Sequence, residues 1–233
     1  MKKLVIIPAY NESESILNTI NEIKKKAPEF DYVIINDASR DNTLDILKKN
    51  KLNYINLPAN LGIGGAVQTG YLYAEKNEYD IAVQIDGDGQ HDPAYLDILS
   101  EALISHNADM VIGSRFIENE GFQSTFMRRL GLTYFSFLIR LLTGVRVTDP
   151  TSGFRMVNRN VIKLFACDYP VDYPEPESTV QILKKKMKVE EVPVKMLARA
   201  GGESSIKPWN SVYYMIKVSL AILIECTRKH EVN

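Results

Sequence analysis

Residues 81–91 read Ile-Ala-Val-Gln-Ile-Asp-Gly-Asp-Gly-Gln-His. The first five form a short, mostly apolar run of the kind that is buried on both faces of a parallel sheet. Asp86 and Asp88 then follow one residue apart, just past the carboxyl end of that run. Two carboxylates this close repel each other unless a cation or extended hydrogen bonding compensates. Gly87 and Gly89 permit tight backbone geometry around them. Hard oxygen donors of this kind suit Mg2+ or Mn2+, which take one or two carboxylates and fill their remaining positions with substrate phosphates and water. The stretch therefore predicts a buried strand ending in a site for a metal-bound diphosphate. His91 on its own reads as a structural residue rather than a metal ligand.

Outward from this segment, apolar runs at 4–7, 32–35, 54–57 and 110–112 alternate with helical patterns at 13–26, 42–49, 65–76 and 93–106. Asn42 and Asp92 stand where N-caps are expected. Such alternation predicts an α/β fold built from right-handed βαβ units around a mostly parallel sheet, with ligands bound at the carboxyl ends of the strands. The second half changes character. An aromatic helix is expected at 126–142, flanked by Arg128, Arg129 and Arg140, followed by a turn-rich stretch at 148–153 and a short helix. The acidic, proline-containing segment 172–177 leads into a helix ending at 186, a strand at 189–196, a glycine-containing loop at 199–205 and a last helix at 210–228. One catalytic unit, 1–205, with a C-terminal helix in 206–233 is the simplest organisation.

Composition narrows the class. The 233 residues carry 28 Lys+Arg against 29 Asp+Glu, a net charge of -1, so the basic stripe of a nucleic-acid-binding protein is absent and no such partner is expected. Two cysteines, Cys167 and Cys226, form neither a disulfide framework nor a zinc motif, which fits a reducing, cytoplasmic setting. No run reaches the roughly 18 apolar residues of a membrane-spanning helix.

Four loops follow the expected strands: Pro8-Ala9-Tyr10-Asn11-Glu12, the stretch from Asn36 through Asp37 to Thr43, the glycine loop 60–66, and Asp86 to His91. The glycine loop matches neither the dinucleotide fingerprint nor the Walker pattern. Taken together and in order, these loops resemble those of family 2 inverting glycosyltransferases, most closely the dolichyl- and polyprenyl-phosphate sugar synthases. The resemblance continues through Gly113-Ser114-Arg115, Arg128-Arg129, the run Thr148 to Arg155, Glu191 to Val194 and the loop 199–205, so it spans nearly the whole chain.

That resemblance implies a GT-A type, Rossmann-like nucleotide-diphospho-sugar transferase fold and a division of roles. Pro8, Tyr10 and Glu12 match the first nucleotide-contacting loop, and Asp37 the acid that meets base or ribose. Gly62 and Gly65 fall in the stretch that closes over the nucleoside. Asp86 and Asp88 match the metal and diphosphate motif, with Gln90 a further metal ligand. Arg115, Arg128, Arg129, Arg199 and Ser204 occupy positions near diphosphate or acceptor phosphate, where a guanidinium fork fits the oxygens bidentately. Ser205 stands where these synthases often carry a lysine. Glu177 matches the acceptor-side acid, with Glu175 second and Asp149 third as the general base for a sugar-hydroxyl acceptor; a phosphate acceptor needs none.

The implied reaction moves a sugar from a nucleotide diphosphate, preferably UDP, to a polyprenyl phosphate or lipid-linked saccharide in cell-surface glycan synthesis. The chain is expected to work peripherally at the inner face of the membrane, held there by the helices 126–142 and 210–228, which otherwise pack against the catalytic domain, a second copy or a membrane-protein partner. A sugar-1-phosphate nucleotidyltransferase would carry a glycine-rich basic loop after the first strand, which Pro8 to Glu12 is not. A non-catalytic nucleotide-sugar-binding protein would have no use for the intact acids.

Overall fold

Seven strands and eight α-helices make up the chain in a computed structural model that describes residues 1–118, 126–197 and 210–228. In chain order they are β1 (Lys3–Ala9), α1 (Ile16–Lys26), β2 (Phe30–Asn36), α2 (Thr43–Lys49), β3 (Tyr54–Asn56), α3 (Gly62–Lys76), β4 (Ile81–Gln84), α4 (Leu96–Ser105), β5 (Met110–Ser114), α5 (Phe126–Thr143), β6 (Arg155–Asn158), α6 (Arg159–Cys167), α7 (Pro174–Lys184), β7 (Val189–Pro193) and α8 (Asn210–Thr227). The strands form one sheet in the order β3-β2-β1-β4-β6-β5-β7. β1 pairs in parallel with β2 and β4, β2 with β3 and β5 with β7, whereas β6 runs antiparallel between β4 and β5. Every expected strand is present, and β6 is the addition. Its four residues begin with Arg155 and follow a turn-rich stretch, so they carry too little pattern to be read as a strand until β4 and β5 pair with them.

Alternation sets the two layers of the core. Leu4 and Ile6 of β1 face the helices α3, α5, α6, α7 and α8, in a cluster with Tyr71, Phe135, Phe165, Val180 and Ile222. Val5 and Ile7 face the other side, with Ile16 and Ile20 of α1, Leu47 of α2 and Leu99 of α4. Each such aliphatic side chain taken fully out of water contributes about 1.5–3 kcal/mol, which is why the central strands are apolar on both faces. Asp92 caps the turn before α4, its carboxylate accepting the Ala94 N–H at 2.9 Å. At α2, however, Asp41 rather than Asn42 receives the Thr43 N–H, at 3.0 Å.

This topology delivers the ends of β1, β2, β3, β4, β5 and β7, and the start of the reversed strand β6, to one edge of the sheet. The four loops that follow the expected strands meet there. On the opposite flank, α8 packs on α7 and α5 through Val218 and Ile222, while Leu220 and Ile224 face outward.

Candidate active site

The first three loops are fastened to one another. Asn11 donates its N–H to Ser39 Oγ (3.0 Å) and accepts from the Arg40 N–H through its side chain (2.8 Å). Glu12 N–H reaches Thr43 Oγ1 at 2.9 Å, and Ser13 N–H reaches Asp41 at 3.1 Å. Ala38 is held at φ 53°, a left-handed conformation that a residue with a Cβ adopts at a cost of about 1–2 kcal/mol. Asp37 is buried, and its two oxygens accept the N–H groups of Leu61 (2.7 Å) and Gly62 (2.9 Å) at the start of α3. It thereby fixes the glycine loop against β2, with negative charge at a helix N-terminus. Tyr10 is exposed beside these loops, Pro8 is the penultimate residue of β1, and Gly65 lies in the first turn of α3. Gly64 was not singled out in the sequence, yet it allows the closest approach: its N–H donates to Val171 O at 3.2 Å, and an added Cβ would run into the carbonyl oxygens of Pro170 and Val171.

Asp86 stands at the centre of the edge. Its Oδ1 accepts from Gln84 Nε2 at 3.0 Å, and its backbone N–H donates to His91 Nδ1 at 3.1 Å. His91 is buried, stacked on Phe154 with ring centroids 4.9 Å apart, and structural in the sense expected. Asp88 is buried and accepts the Gln90 N–H at 3.0 Å, while the Gln90 carbonyl accepts from Leu197 N–H at 2.9 Å. Gly153 leaves room directly over the carboxylate, since a Cβ there would sit 3.4 and 3.5 Å from the two Asp86 oxygens. Among the described residues no three His, Cys, Asp or Glu side chains gather into a self-sufficient metal site.

The cationic side of the edge is built from the loop between α5 and β6. Arg115 grips the completely buried Asp149 bidentately, Nε to Oδ2 at 2.6 Å and Nη2 to Oδ1 at 2.7 Å, and adds Thr151 Oγ1 at 3.1 Å. Glu191 on β7 accepts the N–H groups of Thr148 (2.7 Å) and Asp149 (2.9 Å), so it holds this loop in place; burial pushes its carboxyl pKa up. Arg155 is buried as well, donating to the carbonyls of Ser152 (2.7 Å) and Pro150 (2.8 Å) and to Ser178 Oγ (2.9 Å). A cavity of about 240 Å³ beside Arg115 is lined by Tyr95, Ile98, Glu118, Val194 and Lys195.

The two acids of α7 separate. Glu175 lies in the field of Asp86, Arg115 and Arg155; burial raises its pKa and the Asp86 charge adds to that, while the two guanidinium groups oppose it. Glu177 instead feels Glu225, Arg228, Asp168 and Asp172, on the α8 side of the helix, and burial raises its pKa too. Arg115 and Asp149 are thus in contact, Asp86 and Glu175 lie in the field of the same guanidinium, and Glu177 answers to a different set of charges. Arg128 and Arg129 stand at the beginning of α5; Arg199 and Ser204 lie outside the described residues. Gln84 and Arg155 were missed. Gln84 leaves one trace, a polar side chain where the pattern of the expected strand calls for an apolar one; Arg155 leaves only its place at the end of the run Thr148 to Arg155.

Comparison with known proteins bears on the family and the fold. The profile described as "Glycosyl transferase family 2" matches residues 4–165. A UDP-N-acetylglucosamine–dolichyl-phosphate N-acetylglucosaminyltransferase of Methanococcus voltae is 32% identical over 213 residues, covering 83% of this chain and 84% of that one. An undecaprenyl-phosphate mannosyltransferase of Micrococcus luteus is 29% identical over 220 residues, covering 88% of each. Glucosyl-3-phosphoglycerate synthase of Mycobacterium tuberculosis, crystallised with Mn2+, UDP and glucosyl-3-phosphoglycerate, superimposes over 99% of this chain and 81% of its own with a TM-score of 0.70 at 19% identity, a likeness of fold. With the profile spanning more than half of its length, the chain belongs to glycosyl transferase family 2.

Proposed function

We propose that this enzyme transfers a sugar from a nucleotide diphosphate donor, with UDP the preferred nucleotide, to a polyprenyl phosphate, inverting the anomeric centre. The observation that carries the reading is the Asp86 carboxylate and the Arg115–Asp149 pair at the sheet edge, with Glu175 within reach of their charges, in a chain whose relatives bear the names of dolichyl- and undecaprenyl-phosphate sugar transferases. The nucleoside is assigned to the fastened loops around Tyr10, Glu12 and Asp37, and to the α3 start at Gly62 and Gly65.

Asp86 and Asp88, with the space over Gly153, fit Mg2+ or Mn2+ coordinated jointly with the diphosphate, and Gln90 is a further candidate ligand. Such an ion, when bound, neutralises charge that builds on the departing diphosphate. The residues of the chain do the rest. Arg115, stiffened by Asp149, presents a fixed guanidinium to phosphate oxygens; the resemblance assigns Arg128, Arg129, Arg199 and Ser204 to the same kind of oxygens. The acceptor oxygen attacks the anomeric carbon from the face opposite the nucleotide, one C–O bond forming as the other breaks. An ionised phosphate oxygen brings no proton, so no base is required; Glu175 rather than Glu177 or Asp149 is the acid placed to take a proton should the acceptor be a hydroxyl.

The catalytic unit, 1–205, is assigned to the membrane surface through α5 and α8. Tyr134, Phe137, Leu141 and Val145 form an exposed stripe on and just beyond α5, and Ile216, Leu220, Leu223 and Ile224 form one on α8. No acidic residue occurs between 126 and 147, a stretch that carries Arg128, Arg129, Arg140 and Arg146 and so has the charge that suits anionic lipid. Among the described residues no helix is long and apolar enough to cross a membrane.

The chemical reading is tested by incubating the enzyme and Mn2+ with a panel of nucleotide sugars and polyprenyl phosphate and measuring product mass. A sugar-phosphoryl-lipid is the expected product. Product on a lipid-linked saccharide alone would overturn the phosphate acceptor.

A further inference from the structure

Gln84 is the last residue of β4, with β1 on one side and β6 on the other, and it is 1% exposed. Its neighbours Ile81, Ala82, Val83 and Ile85 are all buried apolar residues. A glutamine here is an anomaly, because an unbranched apolar side chain of the same length would fill the space without burying an amide. The amide has one partner, donating from Nε2 to Asp86 Oδ1 at 3.0 Å. Its Oε1 is buried and finds no hydrogen-bond donor among the described residues. Turning the amide over would set two acceptors against each other at Asp86, so the carboxylate dictates the orientation that leaves Oε1 unsatisfied.

Asp86 is held from two further directions. His91 Nδ1 accepts the Asp86 N–H, so the proton of the neutral ring sits on Nε2, 3.9 Å from Asp86 Oδ2. The bare Cα of Gly153 lies over both groups: a Cβ there would stand 3.0 Å from Gln84 Nε2. Asp86 itself remains 39% exposed at its side chain. A partly exposed carboxylate on a loop samples several rotamers, and one oxygen tied to a buried strand residue cannot.

We propose that Gln84 is a positioning residue: it fixes the Asp86 carboxylate by its Oδ1, so that Oδ2 is presented to the cation and diphosphate in one orientation. This rests on the reading of Asp86 as a metal and diphosphate ligand. The unsatisfied Oε1 is the structural cost of placing that donor, and it separates this role from a purely structural one. A side chain kept for packing alone would be apolar here; Gln84 instead places an amide donor on the carboxylate.

The test uses Gln84→Met in the full chain, with Mn2+ and UDP as probes. Mn2+ affinity in the presence of UDP is followed by the paramagnetic resonance signal of free Mn2+, and thermal stability alongside it. The expected result is roughly a tenfold loss of Mn2+ affinity with a melting temperature equal to or above that of the parent. Gly153→Ala, whose methyl pushes on the same amide from the other side, is expected to give a similar loss and keeps the test open should Gln84→Met not fold. In an Asp86→Asn background Gln84→Met should add nothing, because its effect passes through the carboxylate. Parental Mn2+ affinity in Gln84→Met, or an additive loss in the double variant, overturns the proposal. Parental affinity in Asp86→Asn instead overturns the underlying assignment of the metal site, so the two failures are distinguishable.

Discussion

Glu175 and Glu177 are two residues apart in the first turn of α7, and a helix turns about 200° over that interval. One therefore meets Asp86 and Arg115 while the other meets Glu225 and Arg228. The match to the family pattern favours Glu177, and only the rotation of the folded helix shows that the two acids answer to different charges. With polyprenyl phosphate as acceptor, Glu175→Gln should lower kcat less than about tenfold, since no proton has to be removed. A fall of about 10²-fold to 10⁴-fold, the usual worth of a general base, would instead mark a hydroxyl acceptor; Glu177→Gln should leave kcat near the parental value in either case. Gly64 gives a second expectation at this scale. A methyl group there must displace the backbone at Pro170 and Val171. Overpacking of this kind costs about 1–3 kcal/mol, so Gly64→Ala should lower the melting temperature by several degrees. It should also weaken UDP binding, because the start of α3 is held by Asp37 in the same loop. The Asp86-Gly87-Asp88 step was legible because its chemistry is local. The bond from Gln84 was not, since only the folded strand end brings that amide to the carboxylate.

Between elements, α7 and α8 are joined by charge as well as by apolar packing. Arg228 bridges Asp168 at 3.0 Å and Glu225 at 3.7 Å, and Lys217 pairs with Asp172 at 2.6 Å. Into this cluster α7 sends Glu177, whose pKa is raised by burial and by the Glu225 charge. An acid with a native pKa above its unfolded value favours the fold most when protonated in both states, below about 4.5, and withdraws that support as pH rises through the native value. Each unit of elevation is worth about 1.4 kcal/mol. Glu177→Gln should therefore raise the melting temperature at pH 8, and the gain should vanish as pH approaches 4, which thermal melts over that range will show; a gain independent of pH would point to packing instead. The helices themselves were readable from their apolar spacing. β6 was not, because it opens on Arg155 directly after a turn-rich stretch, and its partners β4 and β5 rather than its own alternation specify it.

For the molecule as a whole, the exposed stripes of α5 and α8 set an expectation for membrane binding. Vesicles containing anionic lipid should carry the protein in flotation, and added salt should weaken the association as it screens the arginines. Phe137 and Leu141 are 64% and 68% exposed, so replacing both with aspartate should abolish flotation with little change in melting temperature. Concentration-dependent dimerisation without lipid binding would show that a second copy covers the stripes. The near-zero net charge of the chain concealed this asymmetry, since a total contains no direction. By itself the sequence determined the α/β class, the order of the loops at the sheet edge, the paired acids after β4 and the family, because each is written in local periodicity or in contiguous residues. Tertiary structure alone decided which acid of α7 faces the site, what Arg115 and Asp37 hold, where β6 inserts and which side chain steadies Asp86. Those are relations between residues distant in the chain, set by helix rotation and strand register, which exist only after the sheet has formed.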